Sequence, residues 1–257
     1  MDITEINHIE CDAIYHLACP ASPIHYRFNP VKTIRTNVLG TLKVLELARE
    51  VKARILIAST SEVYGDPEQH PQTEQYWGNV NPIGPRSCYD EGKRCAEALT
   101  HDFQMQNGIE TRIVRIFNTY GPRMAVHDGR VVSNFITHAL KNEDLTIYGT
   151  GEQTRSFCYV DDLVDGLIAM MRSNYEGPVN LGNPVEIKID TLAKMVIDLI
   201  GSTSNIIYKD AMEDDPKRRC PDTTLAWNKL KWQASTQLVD GVEDTIEYFR
   251  KILNANN

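Results

Sequence analysis

The strongest constraint on the fold is an alternation of short apolar segments with longer amphipathic ones in the first half of the chain. The apolar segments 13–18, 53–60 and 111–118 have the length and composition of buried strands. Residues 30–51 carry apolar side chains at helical spacing, and a second helical segment ends at the capping signal Asn107-Gly108. The order strand, helix, strand, helix, strand predicts an α/β fold with a doubly wound parallel sheet.

The pattern changes after Gly121-Pro122, where helical segments alternate with short strands. Helices are predicted over residues 131–141, 161–172, 191–200 and 241–253. We therefore expect two units. Residues 1–120 form the unit with the wound parallel sheet, and residues 121–257 form a smaller C-terminal α/β lobe.

The composition excludes several classes of protein. The formal net charge of -8 argues against a nucleic-acid surface, which needs clustered Lys and Arg. The longest apolar segment is far shorter than the roughly 20 residues of a membrane-spanning helix, so we expect no membrane segment and a cytoplasmic location. The six cysteines form no Cys-x-x-Cys pair, which indicates reduced thiols and no metal site.

Ligands of such sheets bind at the carboxyl ends of the strands, and two nearby segments carry suitable chemistry. Tyr89 and Lys93 are spaced to lie on one face of a helix. An ammonium about 4 to 5 Å from a phenol is worth roughly 3 to 4 kcal/mol to the phenolate at an effective dielectric near 20, and would lower the phenol pKa by about 2 to 3 units. Tyr89 could then act as a base at neutral pH. The alternative is a packed aromatic ring beside a solvated lysine.

The segment 58–67 is a predicted strand that runs into hydroxyl groups and a carboxylate. Thr60 could hydrogen-bond a substrate hydroxyl and so reduce the cost of removing its proton, with Glu62 in reach of the same space. The alternative is a strand end whose Ser and Thr side chains only cap the next turn.

Together, these and other motifs resemble the extended short-chain dehydrogenase/reductase family that acts on sugar nucleotides, and within it the UDP-glucuronate decarboxylases. The resemblance covers almost the whole chain, and it implies that residues 1–120 are part of an NAD-binding Rossmann-like domain and that residues 121–257 are mainly a lobe that binds the sugar nucleotide substrate. Its motifs include His16-Leu-Ala18, Ser59-Thr-Ser-Glu-Val-Tyr-Gly-Asp-Pro67, Asn81-Pro-Ile-Gly-Pro-Arg86, Cys88-Tyr-Asp-Glu-Gly-Lys-Arg94, Arg115-Ile-Phe-Asn-Thr-Tyr-Gly-Pro-Arg-Met124, Asn180-Leu-Gly-Asn-Pro184 and Asp214-Asp-Pro216 with Arg219.

The resemblance implies roles for individual residues. The implied catalytic residues are Thr60, Glu62, Tyr89, Lys93 and Arg219. The implied NAD-binding residues are Asp2, Ile3, Leu17, Ala18, Thr36, Ala58, Tyr89, Lys93 and Thr119. The implied substrate-binding residues are Asn118, Arg130, Tyr148, Gln153, Arg155 and Arg219.

The resemblance also implies the reaction, which is NAD-dependent decarboxylation of UDP-glucuronate to UDP-xylose through a 4-keto intermediate. The pair Ser61-Glu62 is similar to that of the decarboxylases, whereas dehydratases typically carry Asp-Glu there. A nucleotide-sugar 4,6-dehydratase is the alternative within the enzyme class. A homodimer through helices 31–50 and 88–107 is expected in this family, although packing against the sheet would explain their apolar faces equally well.

One departure from the family concerns the cofactor. Members carry a Gly-x-x-Gly-x-x-Gly turn that holds the dinucleotide pyrophosphate, and no glycines here have that spacing. We expect about ninety residues of the usual domain, with its first three strands, to be absent from this sequence. The strand at 13–18 would then be an exposed edge, and NAD would bind poorly to this chain alone. A second hypothesis of function follows, in which the chain is a non-catalytic remnant that dimerises or binds UDP-sugar.

Overall fold

The computed structural model describes residues 2–211 and 218–255 of the protein, so the motif residues 214–216 lie outside the described part. The strands are β1 (Ala13–His16), β2 (Arg54–Thr60), β3 (Thr111–Ile116), β4 (Thr119–Tyr120), β5 (Leu145–Tyr148), β6 (Thr154–Ser156), β7 (Cys158–Tyr159), β8 (Val179–Leu181), β9 (Glu186–Lys188), β10 (Ile206–Lys209) and β11 (Arg218–Arg219). The α-helices are α1 (Pro23–Phe28), α2 (Pro30–Arg35), α3 (Thr41–Val51), α4 (Ser87–Asn107), α5 (Val131–Leu140), α6 (Val160–Arg172), α7 (Ile189–Ile200), α8 (Thr224–Leu230) and α9 (Leu238–Ala255).

The main sheet confirms the predicted α/β class and its parallel winding. Four strands lie in the order β1-β2-β3-β8, and each neighbouring pair is parallel. Along β2, Ile55 and Ile57 pack against α3, whereas the alternate residue Leu56 belongs to the cluster formed with α6. At β2 this alternation buries both faces of the sheet, as a doubly wound fold requires.

Helix α4 ends where the sequence predicted. Gly108 follows the helix with φ 66°, and its N–H donates to the Gln104 carbonyl at 2.7 Å. Glycine adopts this left-handed conformation without the steric cost that a Cβ brings. The long helix contacts α2, α3 and β2.

The structure confirms a helix over residues 30–51, with one irregularity that the sequence did not predict. Helix α2 passes into a π-helical turn over Thr36–Gly40 before α3 begins. At Gly40, an added Cβ would lie 2.6 Å from Cγ2 of Ile3, so the N-terminal segment packs directly on this turn. The apolar spacing of the sequence carries no sign of this contact, because it depends on a residue from another segment.

The second half of the chain builds its own core from α5, α7 and α9 but also returns to the main sheet. Strand β8 pairs in parallel with β3, with Val114 opposite Val179. The sheet thus crosses the predicted division between residues 120 and 121. That division remains a prediction, because β8 of the second half is a strand of the main sheet.

Strand β1 is at the edge of the main sheet in the described chain, as the sequence predicted. Tyr15 is 42% exposed and Leu17 is 54% exposed. Among residues 2–211 and 218–255, no helix combines the length and the apolar character that crossing a bilayer requires.

Candidate functional site

The candidate site begins where β2, an inner strand of the main sheet, reaches its carboxyl end at Thr60. A 3-10 turn over Ser61–Tyr64 follows, and the Thr60 hydroxyl accepts a hydrogen bond from the Glu62 N–H at 3.3 Å. Capping of this turn, the alternative role considered for Thr60, is therefore present. It leaves the hydroxyl proton available to another partner.

Helix α4 brings Tyr89 and Lys93 to this strand end on successive turns. The Tyr89 ring is buried and stacks on Tyr26 with 5.0 Å between ring centroids. Lys93 Nζ lies 5.9 Å from the centre of the Tyr89 ring and donates to the Ala58 carbonyl at 2.7 Å. We call Thr60, Tyr89 and Lys93 the hydroxyl pocket, since the structure brings these three side chains together.

The expected lowering of the Tyr89 pKa is not what the hydroxyl pocket produces. Burial raises the pKa of Tyr89, and the nearby Cys19 thiol adds to this, while a hydrogen bond with Thr60 acts in the opposite direction. Burial also lowers the pKa of Lys93. The spacing argument failed here because both groups are desolvated, and desolvation disfavours phenolate and ammonium alike.

Glu62 lies beside the hydroxyl pocket between two guanidinium groups. Its carboxylate forms short ion pairs with Arg86 and with Arg219. Burial alone would raise the pKa of Glu62, but the charges of Arg219 and Arg86 outweigh it and hold the pKa well below its usual range. Glu62 is therefore an ionised carboxylate that both arginines fix in position.

Asp90 completes this cluster, and the sequence analysis identified neither it nor Arg86 as functional. The Asp90 side chain is 8% exposed, with Oδ2 3.9 Å from Nε of Arg86. Burial, and then the charge of Glu62, raise the pKa of Asp90 to about 7. The i,i+4 spacing of Arg86 and Asp90 on either side of Tyr89 was the available signal, but it does not reveal that Glu62 faces both.

These charged groups surround a cavity of about 200 Å³, which we call the charged cavity. It is lined by Glu62, Gly65, Asp66, Asn79, Val80, Asn81, Arg86, Asp90 and Arg219. Its converging polar groups suit a polar ligand better than an apolar one.

Several implied cofactor residues share a second cavity of about 280 Å³. It is lined by Asp2, Ile3, Ile6, Ala18, Cys19, Pro20, Lys32 and Thr36. Apolar side chains suit the rings of a dinucleotide, and the Lys32 ammonium suits a phosphate, although Lys32 is 3.4 Å from the Asp2 carboxylate. Asp2, Ile3, Ala18 and Thr36 thus fit part of an NAD site.

The remaining implied cofactor residues lie around these cavities. Ala58 is buried and presents its carbonyl to Lys93. Leu17 is exposed just beyond β1. The Thr119 hydroxyl donates to the Phe117 carbonyl at 3.0 Å, so its side chain is engaged locally.

The implied substrate residues form two groups and two separate positions. Arg155 and Arg219 are paired opposite each other on β6 and β11, and both are buried. Gln153 Nε2 donates to the Tyr148 carbonyl at 2.6 Å, which places these two residues together. Arg130 is instead ion-paired with Asp128. Asn118, between β3 and β4, accepts from the Cys158 N–H at 2.9 Å.

One cluster carries metal-ligating side chains, although the sequence predicted no metal site. Ligand atoms of His70, Glu186 and Cys220 lie within 4.8 Å of one another. Arg218 is 2.7 Å from His70 and 3.5 Å from Glu186, so a guanidinium already supplies the positive charge there. The absence of a metal site stays a prediction.

A family model and two curated proteins match almost the whole of this chain. The family model described as GDP-mannose 4,6 dehydratase matches residues 3–245. UDP-glucuronic acid decarboxylase 1 of Xenopus tropicalis is 57% identical over 258 residues, an alignment that covers 100% of this chain and 61% of that protein. UDP-glucuronic acid decarboxylase 3 of Arabidopsis thaliana is 59% identical over 98% of this chain and 74% of that protein.

Solved structures give the same fold. UDP-glucuronic acid 4-epimerase from Bacillus cereus, in complex with UDP-glucuronic acid and NAD, has a TM-score of 0.84 and 26% identity. The likeness covers 94% of this chain and 76% of the epimerase. The chain spans 61% of the length of the Xenopus tropicalis relative.

Proposed function

The chain belongs to the GDP-mannose 4,6 dehydratase family and, within it, to the UDP-glucuronic acid decarboxylases, and from this premise we propose that it acts as a carboxy-lyase. The proposed reaction is NAD-dependent decarboxylation of UDP-glucuronate to UDP-xylose through a 4-keto intermediate. The observation that carries the proposal is the convergence of the hydroxyl pocket and the charged cavity at the carboxyl end of β2.

The hydroxyl pocket would handle the proton at the sugar 4-hydroxyl. A substrate hydroxyl in contact with the Thr60 and Tyr89 oxygens could pass its proton to Tyr89 once Tyr89 is a phenolate. The Lys93 ammonium would stabilise that phenolate before the transfer, in opposition to the effect of burial. Because burial raises the pKa of Tyr89, the protonated phenol is its stable form near neutral pH, and that form can donate a hydrogen bond to the substrate.

The charged cavity would hold the acidic end of the sugar. Arg219 can bind a carboxylate through its guanidinium, and Glu62 keeps that guanidinium in place. Once the 4-hydroxyl is a ketone, the carboxylate is β to a carbonyl. The bond to CO₂ then breaks with its electron pair entering an enolate, which Tyr89 could stabilise by donating a hydrogen bond.

NAD would supply hydride acceptance from carbon 4 and its later return. Asp2, Ile3, Ala18 and Thr36 would hold part of it from the second cavity. Arg155 beside Arg219 would bind the diphosphate, where the planar guanidinium favours bidentate contacts.

We also propose a homodimer through the helices at 31–50 and 88–107. Exposed apolar side chains on these helices support it, namely Val31, Ile34 and Met105, at 67%, 44% and 73% exposure. The cytoplasmic location stays a prediction.

The proposal is tested by incubating the 257-residue protein with UDP-glucuronate and NAD⁺ and following CO₂ and UDP-xylose. Release of both is the expected result when NAD⁺ is in large excess, since we expect this chain alone to bind NAD poorly. Loss of water without CO₂ would identify a 4,6-dehydratase instead. Binding of UDP-sugar without turnover would favour the non-catalytic alternative.

A further inference from the structure

Two buried polar atoms in the charged cavity lack a hydrogen-bond partner among the described residues. They are Oδ1 of Asp90 and Nε of Arg219. Their side chains are 8% and 4% exposed, so bulk water is largely excluded from them. Leaving a buried polar atom unpaired costs about 1 to 3 kcal/mol. Two such atoms lining one cavity point to a polar ligand group that pairs with both.

The charges around the cavity indicate the charge of that ligand. Arg86 and Arg219 are positive and Glu62 is negative, which leaves one excess positive charge among the buried groups. Asp66 also lines the cavity, but it is exposed and its charge is screened by solvent. A ligand carboxylate would balance the buried charge if Asp90 carries its proton, and would leave an excess negative charge if it does not.

We propose that Asp90 recognises the sugar carboxylate of the substrate, as a carboxylic acid that donates a hydrogen bond to it while Nε of Arg219 donates another. This inference rests on the proposed function, which supplies a substrate with a carboxylate at carbon 5. Asp90 is thereby a specificity-determining residue, because its ionised form would repel the sugar carboxylate but not an uncharged hydroxymethyl group at the same carbon.

Asp90 is the group in its surroundings that changes charge near neutral pH. The neighbouring Tyr26 hydroxyl and Cys88 thiol both have their pKa raised by burial and stay neutral there. Burial, and then the charge of Glu62, raise the pKa of Asp90 to about 7, against the opposing charges of Arg86 and Arg219. Glu91, on the next position of α4, has a side chain that is 41% exposed.

The test compares the affinities of UDP-glucuronate and UDP-glucose for the full chain by isothermal titration calorimetry between pH 6 and pH 8. The two ligands share the uridine and the diphosphate. Groups that titrate around those moieties therefore change both dissociation constants equally and do not affect their ratio. We expect the wild-type preference for UDP-glucuronate to fall about tenfold over this range, as the protonated fraction of Asp90 falls. Asp90→Asn keeps a donor and should hold its preference constant.

Glu91→Gln is the matched control, since it removes a neighbouring carboxylate from the same helix and should retain the wild-type pH dependence. A wild-type preference that does not change with pH would overturn the role of Asp90, and so would an Asp90→Asn variant with the wild-type decline. Because the wild-type profile decides on its own, a poorly folded variant does not block the test. Failure of the wild type to bind either sugar nucleotide would overturn the proposed function itself.

Discussion

The hydroxyl pocket and the charged cavity lie side by side along α4, yet burial has opposite results in them. In the hydroxyl pocket, burial raises the pKa of Tyr89 and lowers the pKa of Lys93, and so favours the neutral form of each. In the charged cavity, Glu62 is also buried but stays ionised, because two guanidinium groups contact it directly. The comparison teaches that a buried group keeps its charge only where a counter-charge is within hydrogen-bonding distance.

The largest expected effect comes from removing the phenol oxygen of the hydroxyl pocket. Tyr89→Phe should lower the rate of the proposed decarboxylation by about 10² to 10⁴-fold, the usual contribution of a positioned acid or base. The stack on Tyr26 should persist, so thermal unfolding should change little. Tyr120→Phe is the control, because it removes another buried phenol from the second core and should leave the rate unchanged. Full activity of Tyr89→Phe would reject the proposed proton transfer.

Removing one ion pair of the charged cavity should lower the stability of the fold. Arg219→Met leaves the Glu62 carboxylate with one counter-charge fewer, and we expect a loss of about 3 to 5 kcal/mol in the free energy of unfolding. Urea denaturation measures it. Adding Glu62→Gln should recover part of the loss, since the unpaired charge is then removed. The control Arg218→Met alters a 58% exposed side chain and should cost under about 0.5 kcal/mol. Equal losses for both arginine variants would contradict the ion-pair account.

The pH dependence of stability tests whether burial also keeps His16, close to Lys93 of the hydroxyl pocket, in its neutral form. Burial, followed by the charge of Lys93, lowers the pKa of His16 to about 4, and its Nε2 lies 3.1 Å from the Thr41 hydroxyl. The unfolded chain binds this proton near pH 6.5 and the folded chain does not. Stability should therefore fall by about 3 kcal/mol as the pH drops from 6.5 to 4. His16→Asn should lose most of this dependence, whereas His101→Asn, on the exposed face of α4, should keep it. A His16→Asn profile identical to that of the wild type would show that His16 titrates normally.

The smallest effect concerns the tyrosine that stacks on Tyr89. The Tyr26 hydroxyl is buried and has no hydrogen-bond partner within the described part of the chain. Tyr26→Phe keeps the ring and removes a polar atom, so we expect unchanged stability or a gain of up to about 1 kcal/mol. Differential scanning calorimetry measures the change. A loss above that size would reveal a hydrogen bond of the Tyr26 hydroxyl.

The sequence predicted the elements of the fold better than the electrostatics of the site. Helical spacing correctly placed Tyr89 and Lys93 together, and the winding of the sheet correctly placed Thr60 beside them. Spacing along one helix could not reveal that Arg86 and Asp90 face Glu62, because the turn at Ser61–Tyr64 and strand β11 come from distant parts of the chain. Helical spacing also does not reveal that Tyr89 is buried, and burial raises the pKa that the spacing predicted to be lowered.

Strand β8 pairs with β3 although the two strands are far apart along the chain. The outer edge of β3 receives its partner only after more than sixty intervening residues, which build much of the other core. A protease that nicked the backbone between those segments would leave both fragments hydrogen-bonded through β3 and β8. The cleaved protein should therefore co-migrate as one particle under native conditions and separate into two bands only after denaturation.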